Sequence, residues 1–310
     1  MTKLNRFTTR NLKLYKMKKI LITGGTGFVG SYLAEELVKR AYEVVIISRS
    51  KHQTKKNGVR FATYEQLEES VNGSYAVINL AGHNLFDERW SDEVKGKILN
   101  SRVDITRKVV QAIQISNEKP EVFISASAVG YYGNRGSEFL REDSFPGDDF
   151  LSDVCKQWEE DAQKAEVKRI VIPRIGIVLE KNGGALGKML TPFKLFVGGP
   201  LGNGKQYFPW IHMKDVVFSI LESIENENYS GVYNCVAPQQ VTMSEFSSVL
   251  GTVLNRPSLF AVPEFALKLV FGEATGALIA SQRVVPEKLK KLGYDFHYNE
   301  LKSALNNILL

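Results

Sequence analysis

The sequence predicts a doubly wound α/β fold, a parallel sheet with helices on both faces, followed by a smaller C-terminal substrate lobe. Three observations carry this. Short continuous apolar runs alternate with stretches of helical spacing up to residue 180. The first run passes straight into a glycine turn and a helix. A glycine-rich tract over 183–204 then breaks the alternation, as a lobe over a ligand or a long surface loop would.

The first element is Lys18 to Gly30, KKILITGGTGFVG. Ile20 to Thr23 read as a short buried strand, and Phe28 to Val38 as a helix with Leu33, Leu37 and Val38 on one side. A strand, glycine turn and helix of this kind form a dinucleotide cradle. Gly24 permits the sharp turn, Gly27 lets backbone approach a pyrophosphate, and Gly30 lets the helix pack close. Thr26, Phe28 and Val29 complete the turn, whose free N–H groups and helix dipole favour phosphate.

The second strand, Val44 to Ser48, ends at Ser48 and Arg49, where a dinucleotide fold meets the adenosine ribose. An acidic residue there favours NAD. Arg49, followed by Lys51, Lys55 and Lys56, suits the 2′-phosphate of NADP, although a solvated basic loop reads the same way. Val59 to Ala62 and Tyr75 to Leu80 are further strands, the latter running into Leu80, Ala81 and Gly82 across which a cofactor can lie. Residues 87–116 are mostly helical, with Val94, Ile98, Ile105, Val109 and Ile113 as the apolar stripe. Arg102, early in that helix, is either helix surface or a contact to an anionic ligand.

Val122 to Ser127 is the next strand, Phe150 to Val167 a helix, and Arg169 to Arg174 another strand. Arg174 binds either a substrate phosphate or a neighbouring carboxylate. A helix follows over Asp215 to Ile224, and a short amphipathic one over Glu300 to Leu310.

A chain of 310 residues with 44% hydrophobic and 24% charged content is ordinary for a globular protein. The net charge of +6 comes from residues 1–19, which hold seven basic residues and no acidic one, leaving −1 for the rest. A nucleic-acid partner therefore loses its support. No stretch reads as a membrane span. Two cysteines, Cys155 and Cys235, give neither a bridge framework nor a metal spacing, and a reducing cytoplasm is expected. The expected layout is a disordered basic extension at 1–16, a dinucleotide-binding domain at 17–180 with returning segments at 205–240, and a substrate lobe with a small C-terminal domain at 181–204 and 241–310. A monomer or homodimer binding a small molecule is expected.

Taken together these residues resemble the short-chain dehydrogenase/reductase superfamily in its extended, epimerase-like form. Thr23 to Gly30 looks like its cofactor motif, Ser125 to Tyr131 its catalytic-serine strand end, and Gly204 to Val216 its late substrate-lobe motif. More closely, Asn79-Leu80-Ala81-Gly82, Arg89-Trp90, Ser101-Arg102, Gly130-Tyr131-Tyr132-Gly133 and Val154-Cys155-Lys156-Gln157-Trp158-Glu159 resemble an atypical branch labelled epimerase family protein, which ends in a small C-terminal domain similar to Ala280 to Leu289. The resemblance implies a Rossmann-like fold, NADP and a carbonyl, hydroxyl or nucleotide-sugar-like substrate.

The superfamily's acid–base unit is Tyr-x-x-x-Lys. Lys156 fits the lysine, and Ser152 stands at the tyrosine's place. A serine hydroxyl is far less acidic than a phenol near pKa 10, so the usual proton carrier is missing. The resemblance leaves Ser127 to orient a substrate oxygen, Lys156 to fix the nicotinamide ribose, Tyr131 or a water to move the proton, and Arg174 and Gln206 for substrate. Either an oxidoreductase or epimerase with an unusual proton carrier, or an NADP(H)-sensing protein, is expected.

Overall fold

The structure is a computed structural model and describes residues 17–49, 55–56 and 58–310. The basic extension expected at 1–16 and Lys51 lie outside the described residues, as do the side chains of Lys55 and Lys56.

In chain order, β1 (Lys19–Thr23), α1 (Phe28–Lys39), β2 (Glu43–Ile47), β3 (Lys55–Lys56), β4 (Val59–Ala62), α2 (Leu67–Val71), β5 (Ala76–Asn79), α3 (Asp92–Ile115), β6 (Val122–Ser125) and β7 (Ser127–Ala128) come first. Short β8 (Phe139–Leu140), α4 (Phe150–Ala162) and β9 (Arg169–Ile175) follow. The expected extension of α4 to Val167 is absent, because Gln163 caps it and Ala165 turns into the core.

One nine-stranded sheet takes the order β3-β4-β2-β1-β5-β6-β9 and then a last strand, β13 (Gly231–Cys235), with β7 also on β9. Its pairs are parallel except β3 with β4. Alternation along each strand buries both faces. Ile20, Ile22, Val44, Ile46 and Ile78 pack with α1 on one side, and Leu21, Val45, Ile47, Val77 and Phe123 pack with α2 and α3 on the other. The chain leaves β1 for β2 on one flank and places β5 on the other. A crevice therefore opens at the carboxyl ends of β1 and β5.

Beyond β9 come β10 (Ile177–Leu179), α5 (Gly184–Lys194), β11 (Tyr207–Phe208), β12 (Trp210–His212), α6 (Met213–Glu225), β13 (Gly231–Cys235), β14 (Val241–Thr242) and α7 (Met243–Leu254). The last part holds α8 (Glu264–Phe271), α9 (Thr275–Ile279), β15 (Arg283–Val284), α10 (Glu287–Lys291) and α11 (Leu301–Leu309). Leu186, Leu190, Phe193, Phe246, Leu250, Leu301 and Leu305 make a second core from α5, α7 and α11.

The segment between α9 and α11 does not stay in that lobe. β15 pairs with β8, and Leu289 and Phe296 are buried in the sheet's own core beside α6. Asp215, fully buried at the start of α6, accepts the N–H groups of His297 (2.7 Å) and Tyr298 (3.1 Å). Burial raises the Asp215 carboxyl above the usual range, while these donors oppose the rise. His212 caps α6 by accepting the Lys214 N–H and stacks on Tyr298 at 3.9 Å. The Trp210 to Asp215 motif thus clamps the C-terminal segment to the sheet.

Candidate functional site

The cradle's glycines divide their work. Gly24 has φ +71°, and a Cβ there would sit 2.5 Å from the Leu80 carbonyl. At Gly30 it would meet Gly24 O at 2.3 Å, and at Gly25 the Ile46 side chain at 2.7 Å. These three let the turn, β2, β5 and α1 approach. Gly27 is exposed, and the nearest atom to its added Cβ is Gly24 O at 3.1 Å. Gly27 also caps α1 without a side chain, and among the described residues the N–H groups of Phe28, Val29 and Gly30 have no protein acceptor. Unspent donors at a helix N-terminus behind an open glycine fit a dinucleotide's phosphates. Thr26 is exposed beside them, Val29 is half-buried, and the Phe28 ring lies under Gly183 and Gly184.

Under the crevice runs a row of buried polar side chains set by strand register. Thr23, Asn79 and Ser125 lie side by side. Thr23 Oγ1 donates to Asn79 Oδ1 at 2.6 Å, and Asn79 Nδ2 donates to Thr106 Oγ1 at 2.8 Å. This row fixes the strand ends on which Leu80, Ala81 and Gly82 sit. At the other rim Ser48 is buried, its N–H bonded to Ala62 O, and Arg49 is exposed at the end of β2.

Next to Gly82, Arg102 donates to Ile98 O (3.0 Å) and His83 O (3.1 Å). Burial holds its guanidinium below its usual range.

The helix that carries the expected acid–base pair presents a different face. Leu151 and Cys155 lie against Gly130, 3.5 and 3.8 Å from where its Cβ would be. Cys155 Sγ points at Ala128 O, and burial pushes its thiol up to about 12. Lys156 stands at the rim with its ammonium 2.8 Å from Asp153. The hydrogen bond and charge of Asp153 raise its pKa, with smaller effects from Glu160 and Tyr131. The structure does not bring Lys156 into hydrogen-bond contact with Ser127. Ser152 is fully buried, bonded to Gly130 O and Asp149 at 3.0 Å each, with Gly147 and Gly133 packed on its Oγ.

Ser127 donates its proton to Glu159 Oε1 at 2.6 Å. Glu159 is held by Arg174, whose Nε and Nη2 each donate at 2.8 Å. Arg174 Nη1 donates to the Tyr132 hydroxyl at 2.9 Å and to Glu142 O at 3.1 Å. Of the two partners left open for Arg174, the structure shows the carboxylate. Burial works against its charge, but Glu159 and Tyr132 outweigh it and raise its pKa. The Tyr132 phenol is pushed up to about 12 by burial. Tyr131 differs. Its ring lies 3.4 Å under the Arg174 guanidinium and edge-on to Tyr132, while its hydroxyl makes no hydrogen bond among the described residues. Gln206 is buried and donates to Leu201 O at 2.9 Å, bracing its own loop.

Glu159 is the residue that sequence reasoning missed. Its signal was present: a carboxylate on the buried face of α4, and an arginine in the otherwise apolar strand RIVIPRI. Buried opposite charges must find each other.

Comparison with known proteins fits this geometry. The model of the NAD dependent epimerase/dehydratase family matches residues 20–150, and that of a domain of unknown function, DUF1731, matches 262–308. An Arabidopsis thaliana epimerase family protein, the chloroplastic SDR39U1 homolog, is 41% identical over 94% of this chain and 86% of its own length. Epimerase family protein YfhF of Bacillus subtilis is 36% identical over 94% and 97%. The crystal structure of human epimerase family protein SDR39U1 with NADPH superposes with a TM-score of 0.86 at 34% identity, covering 94% of this chain and 98% of that one. A UDP-glucuronic acid 4-epimerase from Bacillus cereus, at 19% identity and TM-score 0.74, shares the fold. The likeness covers 94% of the chain, and the chain belongs to the epimerase family proteins of which SDR39U1 is one.

Proposed function

We propose that this chain binds NADP(H) in the crevice and is an oxidoreductase or epimerase for a small carbonyl, hydroxyl or nucleotide-sugar-like compound, with Tyr131 as its proton carrier. The observation that carries this is the Tyr131 hydroxyl. It is the unspent phenol of the site, its ring fixed by Arg174 and Tyr132. The cofactor reading rests on the open cradle, and NADP over NAD on Arg49 and on the NADPH bound to human SDR39U1.

Bound NADPH supplies a hydride at the nicotinamide C4. Tyr131 gives or takes the proton at the substrate oxygen. Ser127, its proton committed to Glu159, offers only lone pairs, so it accepts from a ligand hydroxyl rather than donating to a carbonyl. Two free, buried cysteines suit a reducing compartment such as the cytoplasm.

A second reading, an NADP(H)-binding protein with weak or no turnover, is favoured by the engagement of Ser127 and Arg174 in one buried network. Loss of NADPH absorbance on a carbonyl panel, together with chromatographic detection of the epimer from sugar nucleotides, which consumes no net cofactor, separates the two. Tyr131→Phe should slow the parent's turnover by about 10²–10⁴. A parent that binds NADPH and turns over nothing supports the second reading, and activity untouched by Tyr131→Phe removes Tyr131 from the chemistry.

A further inference from the structure

Arg174 is matched by Glu159, and Lys156 at the rim by Asp153. Arg102 has no carboxylate within ion-pair distance among the described residues; its acceptors are two backbone carbonyls, with Ser101 Oγ at 3.5 Å. Carbonyl dipoles solvate a guanidinium but leave its charge uncompensated, and even half-buried, as Arg102 is, a charge without a counter-ion is costly. Burial lowering its pKa is the same cost seen from the proton's side.

Its position says where a counter-ion would come from. Cζ and Nη2 lie 3.2 Å from the place of a Gly82 Cβ, so the fork presses on the start of the loop that follows β5. Beneath it, Leu80, Ala126 and Ile175 from the ends of β5, β6 and β9 pack with Trp158 and Leu99. The guanidinium lies 5.5 Å from the Trp158 ring, whose buried Nε1–H has no acceptor of its own. An arginine fork thus stands at the carboxyl edge of the sheet, where ligands of doubly wound folds bind.

We propose that Arg102 holds an oxyanion, a phosphate or a carboxylate, at the crevice beside Gly82. The anion belongs either to the diphosphate of the dinucleotide or to the substrate. The first source rests on the NADP(H) reading above; the second stands without it. Arg102 also anchors the loop, since His83 gives its N–H to Ser101 Oγ and its carbonyl to Arg102. The test must therefore separate anion binding from loop anchoring.

Calorimetry on the full chain compares the parent with Arg102→Gln and Arg102→Lys. The ligands are NADPH, 2′,5′-ADP, which lacks the diphosphate, and inorganic phosphate and oxalate added to the NADP⁺-loaded protein. If the diphosphate is the anion, Arg102→Gln weakens NADPH by roughly tenfold or more; 2′,5′-ADP, which keeps the adenosine-side phosphate, weakens with it if that phosphate is the contact and holds if the nicotinamide-side one is. If the anion is the substrate's, NADPH affinity holds, and phosphate or oxalate binding seen in the parent disappears in Arg102→Gln. Either result supports the site and names its source. A variant that melts lower but binds every ligand as the parent does overturns it, leaving only a loop anchor. Should Arg102→Gln fail to fold, Arg102→Lys decides: losing the fork should weaken the same ligand by roughly threefold or more, and unchanged affinities overturn the site. A parent that ignores NADPH ends the cofactor reading, and phosphate and oxalate on the free protein then judge Arg102 alone.

Discussion

Ser152 holds the place where a phenol is expected, and its surroundings show why a phenol does not fit. The side chain is fully buried, its hydroxyl lies 3.0 Å from both Gly130 O and Asp149 Oδ1 with its one proton to give between them, and a Cβ on Gly147 would come within 2.7 Å of it. Ser152→Tyr should therefore not restore a tuned phenol. It should destabilise the fold by about 3 kcal/mol, by overpacking and loss of the bonds, against about 1 kcal/mol for Ser152→Ala. Denaturant titration of both variants checks this, and equal stabilities would show room the structure does not have. Arg49, exposed at the end of β2, makes the opposite kind of prediction. Arg49→Asp should weaken NADPH by about tenfold or more and leave NADH nearly unchanged. Equal losses for both cofactors would assign Arg49 to the fold.

At the scale of elements, the cradle and helix α4 were legible in the sequence, and the face that α4 turns inward was not. Glycine punctuation between a strand and a helix is a local signal, and Gly24, Gly27 and Gly30 sit where it puts them. Replacing Gly27 by Val should abolish NADPH binding and spare the fold, because the added group faces open space apart from Gly24 O. Calorimetry beside a melting curve reads both. The face of α4 is a global choice. Leu151, Cys155 and Glu159 form one inward row and Ser152 and Lys156 another, about 100° round the axis. Spacing alone allows either, and the tie between Glu159 and Arg174, fifteen residues along the chain, selects the first. Helix α6 carries a pH dependence of its own. Its cap, His212, is brought down to about 4 by burial, with Lys214 adding to the effect. A histidine depressed from 6.5 contributes stability that is complete above pH 6.5 and is lost as pH falls toward 4, about 3 kcal/mol in all. His212→Asn keeps a capping group without the titration, so its stability should fall less steeply than the parent's between those two pH values.

Over the whole molecule, the alternating strands and helices predicted the sheet, while nothing local announced that Leu289 and Phe296, far along the chain, complete its core. Asp215 is the latch. Asp215→Ala leaves the N–H groups of His297 and Tyr298 without their acceptor and should cost about 3 kcal/mol. If it lowers stability by less than 1 kcal/mol in denaturant titration, the clamp is ornamental. The same latch has a consequence in time. Leu289 and Phe296 fill the sheet's core beside strands made long before them. At roughly 5–20 residues per second, the ribosome needs several seconds to pass from Cys235 to Phe296. Through that interval the nascent sheet waits with its α6 flank unroofed, a sticky surface that a chaperone can shelter, and its core closes only once Phe296 has been made.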